Sequence, residues 1–142
     1  QAGGEQPDPE AARAPGAGAQ GMSRTRRFPG ELRAVPMARA FVREALEGSD
    51  PELAAEALIV ASELAANAVV HAGSEFAVTV AATDDRVCLS VADSGGGRPS
   101  RRTSEATDEA GRGLQLVDAL ASRWGVASGW LGKVVWAEVD AA

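Results

Sequence analysis

Hydrophobic positions divide this chain into segments of two different periods. Leu32, Val35, Ala38, Phe41, Val42 and Leu46 recur at helical spacing and stop at Gly48. Ser49-Asp50-Pro51-Glu52 has the form of a helix start: a capping side chain, Pro in the first turn and acid beside the positive helix end. The helical pattern then continues to Ala72, with Gly73 as its stop. Phe76–Ala82 and Val87–Ala92 read as strands joined by the turn Thr83-Asp84-Asp85-Arg86. Arg24–Phe28 predicts a short edge strand ended by Pro29-Gly30. After a long stretch without periodicity, Gly113–Ser122 is helical, and Trp124–Ala127 and Val134–Val139 supply two more strands.

The order β-α-α-β-β-loop-α-β-β predicts an α+β fold: a two-layer sandwich with a mixed, mostly antiparallel sheet and helices on one face. Residues 1–23 are dominated by Gly, Ala, Pro and Gln and carry no period, so they are expected to be a disordered tail before one domain spanning 24–142. This tail lacks the apolar middle of a signal peptide.

Helix 51–72 is apolar around nearly its whole circumference, the pattern of a buried helix. Glu56, Glu63 and Asn67 nevertheless share one stripe, at spacings of seven and four. A carboxylate and an amide buried without partners would cost several kcal/mol, on the order of transfer estimates. A cleft holding a cation would satisfy them, because amide and carboxylate oxygens suit Mg²⁺ that shares its shell with phosphates. Taken alone, the stripe reads first as the helix's wet face, with Asn67 an incidental surface residue; the glycine motifs downstream reverse that order.

Asp93 closes a strand and is followed by Ser94-Gly95-Gly96-Gly97. Its carboxylate only accepts hydrogen bonds, which suits an exocyclic amine, and Gly95 and Gly97 let the backbone approach a flat ring. Gly111-Arg112-Gly113-Leu114 opens a helix, whose N-terminus offers unpaired amides to a phosphate. Between these clusters, 94–111 reads as a long mixed-charge loop with Arg98, Arg101, Arg102, Glu105, Asp108 and Glu109. Loops of that length within a compact domain are often functional.

Composition narrows the function. A net charge of −6 argues against a nucleic-acid binder, and no charge-free apolar run of membrane length exists. The single cysteine, Cys88, excludes an intramolecular disulfide and fits a reducing cytoplasm. His71, the one histidine, lies near a helix end, where packing or capping is the ordinary role.

Glu63-Leu64-Ala65-Ala66-Asn67, Asp93-Ser94-Gly95-Gly96-Gly97 and Gly111-Arg112-Gly113-Leu114, in this order, resemble the N, G1 and G2 boxes of the GHKL nucleotide-binding (Bergerat) fold. Within it the chain is most similar to the anti-sigma-factor serine kinases, especially the small single-domain actinobacterial group. Ala61-Ser62-Glu63-Leu64 with Asn67-Ala68-Val69, and the run from Gly113 to Leu120 with Trp124-Gly125, carry that likeness over about residues 24–140.

The resemblance implies ATP or ADP with Mg²⁺, Asn67 on the metal and nucleotide, and Glu63 as catalytic base. It places Asp93, Gly95 and Gly97 around the adenine, and Gly111, Arg112, Gly113 and Leu114 at the phosphates. The loop between would be a lid. It further implies a sigma factor and a STAS-domain anti-anti-sigma protein as partners, a cytoplasmic location, and no direct contact with nucleic acid or membrane. It also allows a homodimer. An autophosphorylating histidine kinase is not expected, for want of a phosphoacceptor helix. One departure stands out: many relatives carry Thr after Gly-Lys in the last strand, where this chain has Val134 after Gly132-Lys133. A hydroxyl lost near the adenine would cost about 1 kcal/mol. The second reading is therefore a nucleotide-binding switch with little catalysis, and a third is an α/β adaptor that binds no nucleotide.

Overall fold

Alternation decides the sheet, and the computed structural model, which describes residues 23–94, 114–129 and 132–142, shows which side of each strand is covered. In β2 (Phe76–Ala82) the side chains of Phe76, Val78 and Val80 are buried, with the half-buried Ala77 and Thr79 between them. In β3 (Arg86–Asp93) Val87, Leu89 and Val91 join the same core, as do Val135, Ala137 and Val139 of β5 (Gly132–Asp140). With β1 (Ser23–Phe28) and β4 (Arg123–Gly129) the strands make a five-stranded sheet in the order β1-β2-β3-β5-β4, and every pairing is antiparallel. The β2–β3 hairpin is closed by the Thr83 N–H donating to the Arg86 carbonyl at 2.8 Å.

The helices cover one face. Helix α1 (Ala34–Ala45) buries Ala34, Ala38, Phe41 and Val42, and α2 (Pro51–His71) buries Leu53, Ala57, Val60, Ala61, Leu64, Ala65, Asn67 and Ala68. Asp50 caps α2 as its sequence predicts: its carboxylate accepts from the Leu53 N–H at 2.9 Å, a contact that contributes about 1 kcal/mol. Gly73, with φ +63°, ends the helix. Residues 114–120 form α3, which buries Val117 and packs Leu114 and Leu120 on the core. The fold is the expected α+β two-layer arrangement. Residues 1–22, which hold almost all of the expected tail, and 95–113, which hold most of the expected lid, lie outside the described residues.

Two local expectations shift. Leu32 lies before α1 rather than inside it and is 68% exposed, because the helix begins at Ala34. Helix α2, apolar all round, is not covered all round: Ile59 and Val70 are exposed, since one side of the helix lies on the sheet and the opposite side does not. By length and mean hydropathy (1.7 over its best window) α2 also meets the criterion for a membrane span. In this fold it is the central core helix of the sandwich.

The face of the sheet away from the helices carries Ala81 and Cys88 with Trp136 packed beside them. Beyond them the Glu138 carboxylate is fully buried, with Arg86 Nη1 and Arg123 Nε each 3.6 Å away. Arg86 also holds Asp140, at 2.7 Å, which keeps the Asp140 carboxyl below its usual range. Two arginines face the enclosed carboxylate, yet neither of its oxygens accepts a hydrogen bond from the described residues, so the charge pair only partly offsets the cost of burial.

Candidate functional site

Connectivity brings the candidate residues to one end of the molecule. The C-terminal turns of α2 contain Asn67 and lead through Gly73 to Phe76, the first residue of β2. Phe76 pairs with Asp93, the last residue of β3, and Asp93 pairs in turn with Lys133, near the start of β5. Residues directly opposite in an antiparallel pair project to the same face. Asp93 alternates with Val87, Leu89 and Val91, so its carboxylate is on the helix-covered face beneath α2. Asn67 and Asp93 are 7% and 8% exposed, the two buried polar side chains on this side of the described structure.

Glu63 lies one helical turn before Asn67 and is half-buried, as is Glu56. The stripe inferred from spacing therefore exists but is graded, open at its carboxylates and closed at its amide. Beside Glu63, the Ser62 hydroxyl accepts from Arg39 Nε–H at 2.9 Å and donates to the Leu58 carbonyl at 3.0 Å. That bond ties α1 to α2 one residue from the candidate base, a link the sequence did not indicate. His71 ends α2 and is half-buried, where a basic side chain suits the helix C-terminus.

At the other strand, Gly132 has φ +133°, and a Cβ at this position would overlap the Asp93 carbonyl oxygen. Only glycine allows so close an approach at that φ. The start of β5 is thereby pressed against the end of β3 in a fixed register. The register corrects the reading of Val134. Val134 pairs with Ala92, on the face opposite to Asp93, so a missing hydroxyl there removes nothing from the Asp93 side. The residue that shares a face with Asp93 is Lys133.

Leu114 is half-buried and anchors the first turn of α3, and Trp124 Nε1–H donates to Asp118 at 2.8 Å, fastening the helix to β4. The remaining expected phosphate and adenine residues, Gly95, Gly97, Gly111, Arg112 and Gly113, lie outside the described residues. Among the described residues no group of three or more His, Cys, Asp or Glu is placed to hold a metal. Asn67 would offer a cation one amide oxygen, with waters and phosphates completing its shell. That donor set fits Mg²⁺, which commonly keeps several waters and takes only one or two protein ligands.

The family model of the histidine kinase-like ATPase domain matches residues 28–139, which spans α1, α2, the whole hairpin, α3 and the last two strands. The chain belongs to this family. Among solved structures it is similar to the histidine kinase domain of a blue-light-activated histidine kinase from Erythrobacter litoralis EL346. The likeness covers 80% of this chain at 18% identity, with a TM-score of 0.42. The chain spans 61% of that domain's length. A search of curated proteins finds no match. The matched span includes both enclosed polar residues, Asn67 on the central helix and Asp93 at the end of β3.

Proposed function

We propose that this chain is an ATP-binding regulatory protein, an anti-sigma factor with serine kinase activity toward a STAS-domain anti-anti-sigma partner. The observation that carries the nucleotide part is the enclosure of Asn67 and Asp93 at one end of an ATPase-family fold. Asp93 would accept from the adenine 6-amine, and Asn67 would give an oxygen to Mg²⁺. The metal, when bound, supplies charge neutralisation at the phosphates. Glu63, half-buried and one turn away, would orient the attacking serine hydroxyl and receive its proton. In-line phosphoryl transfer asks mostly for positioning and electrostatic stabilisation, which this arrangement can provide. The kinase part rests on Glu63 keeping both access and proximity.

The switch reading, a module that reports ATP against ADP with little catalysis, loses its main support once Val134 is on the far face from Asp93. The test is incubation of the protein with γ-labelled ATP, Mg²⁺ and a STAS-domain protein encoded beside it, with Glu63→Gln as comparison. A kinase labels a partner serine, and the variant does so about a hundredfold more slowly while still binding nucleotide, within the usual range for a general base. Binding without labelling in either protein would return the function to a switch.

A further inference from the structure

We infer that Lys133 is the second half of the base-recognition pair: its ammonium donates to a ring nitrogen of the adenine next to the 6-amine that Asp93 accepts. The inference deepens the nucleotide reading above and rests on it. Three features of the fold carry it. Lys133 is directly opposite Asp93 in the β3–β5 ladder, so both side chains leave the sheet on the same face. In such pairs the Cβ atoms are separated by about 4.5–5.5 Å, within easy reach for a four-carbon stem. Gly132 excludes slippage, because its backbone is packed on the Asp93 carbonyl at a φ that other residues avoid. Lys133 is half-buried while Asp93 is enclosed, so the lysine keeps contact with solvent on the face where the carboxylate is covered.

The chemistry of the two groups is complementary. A carboxylate only accepts and an ammonium only donates. Side by side they match an edge that presents a donor next to an acceptor. Adenine has such an edge twice, its 6-amine flanked by N1 on one side and N7 on the other. Guanine presents an oxygen at position 6, which an enclosed carboxylate repels. Because Lys133 is the only lysine of the chain, it can be followed chemically without substitution.

The experiment measures ADP, 1-deaza-ADP and 7-deaza-ADP binding to the full chain and to Lys133→Met, by calorimetry. One of the two deaza analogues should bind the wild-type protein about tenfold or more weakly than ADP, the usual range for a hydrogen bond to a charged group. In Lys133→Met that analogue and ADP should bind alike, and Lys133→Arg should restore the difference. As a readout that needs no variant, ADP should protect Lys133 from acylation by an activated ester, followed by peptide mass. Equal wild-type affinity for all three nucleotides overturns the inference, and so does discrimination that persists in Lys133→Met or an absence of protection. Failure of the wild-type protein to bind ADP at all would instead overturn the nucleotide reading beneath it.

Discussion

Replacing Asp93 by Asn isolates the most enclosed charge of the site. The side chain is 8% exposed at the end of β3, and its backbone is fixed by pairing with Phe76 on one side and Lys133 on the other. The amide has nearly the volume of the carboxylate, so neither register nor packing needs to change. What changes is the charge. A carboxylate accepting from the adenine amine makes a charge-assisted bond worth about 1.5–3 kcal/mol. Asn retains one accepting oxygen, but its NH₂ would face two donors, the adenine amine and the Lys133 ammonium. At about 1.4 kcal/mol per factor of ten, ADP affinity should fall roughly tenfold to a hundredfold. Titration calorimetry measures the loss, and denaturant unfolding of both proteins checks that the fold is kept. ADP affinity within twofold of wild type, in a variant that unfolds like wild type, would remove Asp93 from the base site.

Two further substitutions or conditions probe the same frame. Gly132→Ala puts a Cβ into the Asp93 carbonyl at positive φ, so it should destabilise the fold by about 1–3 kcal/mol and weaken ADP binding together; denaturation and calorimetry on one sample would show a loss of stability alone if Gly132 does not set Asp93. Burial, with Glu138 across the strand adding to it, pushes the Cys88 thiol up from its ordinary 9.0 to about 11. The folded state therefore favours the protonated thiol: this contribution is complete below pH 9 and is lost as pH rises through about 11. Iodoacetamide at pH 8 should accordingly label Cys88 slowly in the native protein and rapidly in denaturant, and equal rates would contradict its enclosure.

Much of this architecture is legible in the residues because local chemistry and tertiary packing agree. Asp50 before Pro51 is a cap in sequence and in space, and Phe76–Ala82 alternates as a strand and is one with those limits. The two enclosed polar residues, Asn67 and Asp93, were also readable as candidates, since an amide in an apolar helix and an acid at a strand end both require partners. Sidedness across strands was not. Which of Lys133 and Val134 faces Asp93 depends on how β5 aligns with β3, and the chain between them has no periodicity from which to count. The enclosure of Glu138 was equally hidden: it alternates correctly with Ala137 and Val139 as an outward residue, and Arg86 and Arg123 come to it from other strands. The exposure of Ile59 and Val70 escaped for a related reason, as hydropathy shows what a helix could bury, while the layer against it decides what it does bury.

The proposed adenine-nucleotide site of Asn67 and Asp93, completed by Mg²⁺, stands or falls on how ATP binding responds to the metal. Calorimetric titration of ATP into the wild-type protein and into Asn67→Ala should be run with Mg²⁺ and again with chelator. Saturable one-to-one binding by the wild type should weaken on chelation, and the Asn67→Ala variant should bind more weakly and respond less to Mg²⁺. Wild-type binding of equal strength with and without the metal, or an Asn67→Ala variant with an undiminished Mg²⁺ effect, would contradict it.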